Sequence, residues 1–287
     1  MKNKLFVFDL DGTLLCRNKE NSNLRKINTS ASVAIRKLIK DNYHVILATG
    51  RHYTSSLEYI EELGIEKYII TSNGGVITDV NNSKPIFITE KFIDKKNINI
   101  FLELAKKHKV DFHWSTLNKN YKINFYSNFD DIKCDHFFGG NDINTFKKSY
   151  NKLEDVEHTL DENIIHMALK TESFLRDKIY EEVKEKFSDS KDINFLKPQH
   201  CYIDCDPIGI DKYYSIKKVA KLLNINNDED IYVFGDSDND YKMLKNFNNS
   251  ITFENASENV KNVANYIIGS NETSAIYDFI MKEIYNE

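Results

Sequence analysis

The stretch Leu5-Phe6-Val7-Phe8-Asp9-Leu10-Asp11-Gly12-Thr13 decides how the chain folds. Four consecutive apolar residues, rich in Phe and Val, make the pattern of a parallel strand buried on both faces, and the run stops at an acid. Gly12 permits a tight exit from that strand. Outward from here the pattern repeats. Thr29–Lys40 carries Val33, Ala34, Leu38 and Ile39 near helical spacing. His44–Ala48 is a second buried strand, ending in Thr49-Gly50-Arg51. Tyr53–Leu63 is helical in pattern with Gly64 as its stop, and Tyr68–Thr71 is a third strand. Asn73-Gly74-Gly75 reads as a turn, and Val76–Thr78 with Ile86–Ile88 as a hairpin. Residues 1–84 therefore alternate strand and helix, which predicts a parallel sheet with covering helices.

Residues 197–287 resume that style. The pattern gives strand Tyr202–Asp204, amphipathic helix Ser215–Leu223, buried strand Ile231–Phe234 and then Gly235 with an acidic turn. A short helix at Asp238–Leu244, a strand at Ser250–Thr252 and helices at Glu258–Ala264 and Ser274–Ile284 follow. Residues 85–196 differ: helix Asp94–Lys109, strand Tyr121–Tyr126, helix Ile143–Glu154, strand Ile164–Leu169, helix Ser173–Phe187 and strand Ile193–Phe195. The expected fold class is α/β: a doubly wound, mostly parallel sheet built from 1–84 and 197–287, with an α/β cap domain inserted at 85–196.

Composition narrows the function. Of 287 residues, 41% are hydrophobic and 29% charged, which excludes wholesale disorder. The net charge is −5, so there is no global electrostatic reason to bind nucleic acid or an anionic membrane. The first apolar run is too short for a secretory signal, and no stretch reaches the length of a membrane span, so the expected location is the cytoplasm. Cys16, Cys134, Cys201 and Cys205 lack metal-site spacing and read as free thiols. Nothing matches a P-loop, a dinucleotide glycine fingerprint, HExxH or GxSxG. The Phe-rich stretch at 125–138 reads as core, since no basic strip accompanies it.

In an open parallel sheet, ligands bind beyond the carboxyl ends of the strands. The first strand is followed by Asp9 and Asp11, the second by Thr49-Gly50-Arg51, and the late one by Gly235-Asp236-Ser237-Asp238-Asn239-Asp240; Lys212 opens the helix before that last strand. If these strands are neighbours, acids, a hydroxyl and a lysine converge on one rim. Clustered Asp9, Asp11, Asp236 and Asp240 would repel, and a divalent cation removes the repulsion. Oxygen-only ligands select a hard ion such as Mg²⁺, which favours a few carboxylates together with a substrate phosphate. Phosphate oxygens want the metal, a lysine, a hydroxyl and backbone N–H groups near a helix start, and Lys212, Thr49 and the Gly50 and Asp11 amides are candidates. A carboxylate can attack phosphorus, and an acid two residues on can protonate the leaving oxygen and then activate water.

DLDGT at 9–13, ATGR at 48–51, Lys212 and GDSDND at 235–240 resemble, in order and spacing, the haloacid dehalogenase-like (HAD) phosphohydrolases. The long insertion and SNGG at 72–75 look like the Cof-type subgroup. The likeness covers essentially the whole chain and implies a Rossmann-like core with a substrate-specificity cap. It implies Asp9 as nucleophile and Mg²⁺ ligand, and Asp11 as general acid/base that lends its carbonyl to the metal. Asp236 would be the third protein ligand, with Asp240 in support through water. Thr49 with Gly50 and Lys212 would hold phosphoryl oxygens, and Asn239 would contact the phosphate side. The segment Asp206-Pro207-Ile208-Gly209-Ile210-Asp211 before Lys212 departs from the family's usual spacing.

Plainer readings stand beside these. Asp-x-Asp at a strand end is, alone, more often a turn than a site; Lys212 could be a surface lysine; Thr49-Gly50 and Asp238 could merely cap helices. Arg51 fits a structural ion pair better than a substrate contact, and His113, Trp114 and His136 fit core positions. The resulting expectation is a Mg²⁺-dependent phosphomonoesterase for small phosphorylated metabolites, sugar phosphates first, in a monomer or weak dimer. The rivals are a sugar-phosphate phosphotransferase or mutase and a receiver-like phosphoacceptor domain.

Overall fold

The computed structural model describes residues 3–17, 25–116, 120–123, 149–150, 157–197 and 202–287. Leu5–Phe8 is strand β1, with all four side chains buried. A small antiparallel pair, β2 (Leu15–Arg17) and β3 (Arg25–Ile27), follows. Helix α1 (Thr29–Lys40) begins at Asn28, whose side chain accepts the Ala31 N–H at 3.1 Å. It buries Ala31, Ala34, Ile35 and Leu38, while Val33 turns outward. Next come β4 (His44–Ala48), a 3₁₀ turn at Tyr53–Ser56, α2 (Leu57–Leu63), which stops at Gly64, and β5 (Tyr68–Thr71), β6 (Val76–Asp79) and β7 (Lys84–Ile88).

The middle of the chain supplies α3 (Lys95–His108), β8 (Asp111–Thr116), β9 (Asn120–Ile123), β10 (Ser149–Tyr150), β11 (Ile164–Lys170), α4 (Ser173–Lys186), β12 (Ile193–Leu196) and β13 (Tyr202–Pro207). The chain then returns through α5 (Lys212–Leu222), β14 (Ile231–Phe234), α6 (Tyr241–Asn246), β15 (Asn249–Phe253), α7 (Glu258–Lys261), β16 (Tyr266–Ile268) and α8 (Ala275–Ile280). Two compact units result: Met1–Phe87 with Asp211–Glu287, and Ile88–Ile210.

In the first unit one sheet runs β16-β15-β14-β1-β4-β5-β6-β7. It is parallel from β16 through β5 and turns antiparallel at β6. From β1 the chain winds one way through β4 and β5 and later the other way through β14 to β16, so the order reverses between β1 and β14. That reversal opens a crevice beyond their carboxyl ends. The two strands are locked below it by stacked rings: Phe8 on Phe234 at 4.5 Å and Phe6 on Tyr232 at 4.9 Å.

In the second unit the sheet order is β10-β9-β8-β11-β13-β12. Phe112, Trp114, Met167, Leu169, Ile203 and Cys205 join Phe101, Leu104, Ile179 and Val183 of α3 and α4 in one apolar core. The alternate positions Asp111, His113, Ser115, His166, Asp204 and Asp206 are polar and also buried. His166 Nδ1 and Asp206 Oδ1 lie 2.7 Å apart. Burial pulls the imidazole pKa down, but Asp206 and then Asp204 outweigh it, so the net shift is upward.

Several sequence readings change here. The units meet at 87/88 and 210/211 rather than at 84/85 and 196/197. At the second boundary the reason is β13: it pairs antiparallel with β11 and β12 in the second sheet instead of joining the parallel one. Its alternation of Tyr202, Asp204 and Asp206 with Ile203 and Cys205 suits a sheet with one apolar face. Strand β8 carries no boundary signal, because the left-handed residue that caps α3 is Lys109 (φ 54°), with no glycine to mark the break. Ser149 and Tyr150, expected in a helix over 143–154, instead pair in parallel with Lys122 and Ile123. Trp114 is core, donating its indole N–H to Thr159 Oγ1 at 3.2 Å. Cys16 and Cys205 are free thiols; Cys134, Cys201, His136 and the stretch 125–138 lie outside the described residues.

Candidate active site at the sheet switch point

The exit of β1 is set by a close approach. Gly12 has φ +84°, and a Cβ there would lie 2.2 Å from Asp236 Oδ2. Thr13 Oγ1 donates to Asp236 Oδ1 at 3.1 Å. The turn after β1 and the turn after β14 are thus packed carboxylate against backbone. A Gly12→Ala variant meets both a left-handed backbone and this collision. It should lose at least about 2 kcal/mol of stability, read from the denaturant midpoint, and should displace Asp236.

Asp9, at the end of β1, is 3% exposed, and its N–H extends the ladder to Phe234 O at 3.0 Å. Lys212 is the first residue of α5, behind Asp211, whose side chain caps the helix by accepting the Tyr214 N–H at 2.8 Å. Fully buried, Lys212 donates from Nζ to Asp9 Oδ1 at 2.6 Å and to Asp240 Oδ1 at 2.7 Å. Asp240 is buried too, and its Oδ2 accepts the Asp236 and Ser237 N–H groups at 3.0 and 3.2 Å. It braces the whole acidic turn. Asp238 faces elsewhere, accepting from Asn259 Nδ2 at 3.1 Å.

Asp9, Asp236 and Asp240 each offer a carboxylate oxygen within 4.8 Å of the others. Burial pushes the Asp9 pKa up to about 7; Lys212 opposes the shift, while Asp240 and Asp11 add to it. Asp236 is pushed well above the usual carboxylate range by burial and by Asp9 and Asp240. Burial pulls Lys212 down, yet Asp240 and Asp9 outweigh it and raise its pKa. Crowded, dry, oxygen-only acids of this kind fit a hard divalent cation.

Asp11 points to a different partner. Arg51 Nε donates to Asp11 Oδ2 and its terminal nitrogen to Asp11 Oδ1, both at 2.7 Å, a planar fork on a carboxylate. Arg51 is 1% exposed, and its guanidinium lies 5.3 Å from the Tyr59 ring centroid. Thr49 Oγ1 accepts the Arg51 N–H at 3.1 Å, so the Thr49-Gly50-Arg51 loop joins the first turn through this ion pair.

A fourth loop, Ser72-Asn73-Gly74-Gly75, borders the same rim. Ser72 and Asn73 occupy consecutive left-handed conformations at φ 49° and 51°, each 2% exposed. That conformation costs non-glycine residues about 1–2 kcal/mol each. The turn is held by Ser72 N–H to Arg51 O at 2.9 Å, Asn73 N–H to Thr49 O at 3.1 Å and Ser215 Oγ to Gly74 O at 2.6 Å. A Cβ on Gly74 would sit 2.3 Å from Asp211 O. Asn239 reaches this loop, donating from Nδ2 to Asn73 Oδ1 at 3.1 Å, while Ser237 Oγ donates to Asn239 Oδ1 at 2.7 Å. Thr13, Ser237 and Asn73 are the residues that sequence reading misses. Asn-Gly signals a turn, but nothing in a single sequence marks two left-handed residues in tandem.

The geometry has relatives. The 5-amino-6-(5-phospho-D-ribitylamino)uracil phosphatase YcsE of Bacillus subtilis is 28% identical over 268 residues, covering 93% of this chain and 90% of that protein. Phosphatase YwpJ of the same organism is 25% identical over 292 residues, covering 95% and 97%. Among solved structures, a haloacid dehalogenase-like hydrolase from B. subtilis superposes with a TM-score of 0.78 at 24% identity, over 98% of this chain and 99% of that one. The subclass IIB sugar phosphatase BT4131 superposes with a TM-score of 0.75 at 17% identity, over 96% and 97%. Among the described residues, no helix is long and apolar enough to cross a membrane. A sequence profile of the haloacid dehalogenase-like hydrolases matches residues 6–280, nearly the whole chain, and with the switch-point acids this means that the chain belongs to that family, in its Cof-type group.

Proposed function

We propose that this hydrolase is a Mg²⁺-dependent phosphomonoesterase acting on small phosphorylated metabolites, sugar phosphates first, through an aspartyl-phosphate. The observation that carries the reading is Lys212, buried and hydrogen-bonded at once to Asp9 and Asp240, with Asp236 alongside at the strand-order reversal. An acid, a fixed cation and room for a metal around one carboxylate suit attack on phosphorus.

Asp9 attacks phosphorus while the bond to the leaving oxygen breaks, and Asp11 donates the proton that the leaving alcohol needs. Water then attacks the phosphorus of the acyl phosphate, Asp11 takes its proton, and inorganic phosphate leaves with Asp9 restored. Arg51 holds both Asp11 oxygens in this structure, so for the proton transfers one of them must leave the fork and turn towards the leaving oxygen. Lys212, Thr49 with Gly50, and Asn239 hold the phosphoryl oxygens. Mg²⁺, held by Asp9, the Asp11 carbonyl and Asp236 with Asp240 in support, would offset the charge on the transferring group. The second unit would select the leaving group.

The relatives support this substrate class: one is named for a phosphorylated ribityl compound and a structural neighbour for sugar phosphates. The test is a panel of phosphorylated sugars, polyols and cofactors with Mg²⁺, assayed for inorganic phosphate. Phosphate released in step with free alcohol is expected. Transfer to a second sugar as the main product, or no turnover on any phosphomonoester, would overturn the reading.

A further inference from the structure

The SNGG stretch marks a family likeness, yet the proposed chemical steps give it no work. Its backbone nonetheless places two consecutive non-glycine residues, Ser72 and Asn73, at positive φ. A chain that needed only a turn between β5 and β6 could place glycine at 72 and 73, as it does at 74 and 75. Instead two side chains are kept in left-handed conformations, nine-tenths and more buried, and tied by backbone bonds to the Thr49–Arg51 loop. Strain of this kind persists only where surrounding structure holds it, and it clusters at sites that do chemistry.

We infer that Asn73 is a positioning residue of the phosphoryl site, acting through Asn239. The Asn239 amide is held from both ends: its oxygen accepts from Ser237 Oγ at 2.7 Å, and one N–H donates to Asn73 Oδ1 at 3.1 Å. With Ser237 donating and Asn73 presenting its oxygen, the Asn239 oxygen faces Ser237 and its nitrogen faces Asn73. Because the amide is planar, these bonds fix where the second N–H points. Asn73 therefore aims the donor that Asn239 presents to a phosphoryl oxygen. The left-handed turn brings the acceptor within reach of a residue 166 positions away. The inference rests on the phosphatase reading and extends it to a residue with no part in the chemical steps.

Backbone and side-chain roles separate cleanly here. Glycine adopts the left-handed conformation without strain, so Asn73→Gly preserves the turn and removes only the amide. With p-nitrophenyl phosphate as substrate, Asn73→Gly should lower kcat roughly tenfold to a hundredfold, with a smaller change in KM, because misplacing a contact costs that much. Its Tm should be unchanged or higher. Asn239→Ala should show a similar loss, and the double variant should be no slower than Asn239→Ala alone. Wild-type rates in Asn73→Gly, independent multiplication of the two losses, or a fall in Tm that marks the amide as a mere structural bolt would each overturn the inference. Lack of wild-type turnover would fall on the phosphatase reading itself, and would remove both.

Discussion

Asp9→Asn should be inert and yet harder to unfold at pH 8 than the wild type. The loss of turnover follows from chemistry: an amide has nearly the shape of the carboxylate but does not attack phosphorus, and losing a nucleophile costs on the order of 10⁴-fold or more. The gain in stability follows from electrostatics. Burial raises the Asp9 pKa from 3.8 to about 7, against Lys212 and with help from Asp240 and Asp11. A group raised in the folded state contributes stability that is full below its unfolded value and is lost as pH rises through its folded value. Without a divalent cation the wild type should therefore weaken between about pH 4 and pH 7, and Asp236 is shifted in the same direction. The substituted amide would stay neutral throughout, and Lys212 would keep Asp240. Thermal melts from pH 4 to 8 in EDTA test this: the variant should be less pH-dependent and should melt higher at pH 8. Substantial turnover by Asp9→Asn would rule out the covalent route.

The second large effect is that of metal removal. EDTA should stop turnover, and Mg²⁺ should restore it. Mg²⁺ should also raise the Tm at pH 8, because a ligand bound only by the folded state stabilises it by mass action, by about 2.7 kcal/mol at a hundred times Kd. Binding should release protons, since Asp9 and Asp236 hold them more tightly than ordinary carboxylates. Asp236→Asn should abolish the Mg²⁺-dependent rise in Tm, a readout that needs no catalysis. Full activity in excess EDTA would be inconsistent with the proposed site.

Much of this molecule is written locally. Strands Leu5–Phe8, His44–Ala48, Tyr68–Thr71 and Ile231–Phe234 are continuous apolar runs ending in acids, hydroxyls or glycine, and they occupy the centre of the parallel sheet. What the sequence hides is pairing. The edge strand Tyr266–Ile268 is half-exposed, and β2 and β3 are three residues each, too short for a periodicity. Tyr202–Asp204 reads as a strand of the 197–287 core segment, yet it pairs in the other sheet, whose one apolar face suits its polar alternation. At the site, the acids announce themselves by spacing because they lie in the turns that follow β1 and β14. Arg51's fork on Asp11 and Asn73's hold on Asn239 are contacts across loops, and no periodicity encodes them.

The central position of β1 also governs how the chain comes off the ribosome. Its partner β4 is made soon afterwards, but Leu5's other neighbour, Ile231, is more than two hundred residues away. Until β14 is synthesised, the nascent protein carries an apolar strand with one naked edge, which is an aggregation hazard. When β14 docks, it seals that edge and delivers Asp236 beside Asp9 in one event, so an immature chain can be neither safe nor active before its C-terminal third arrives.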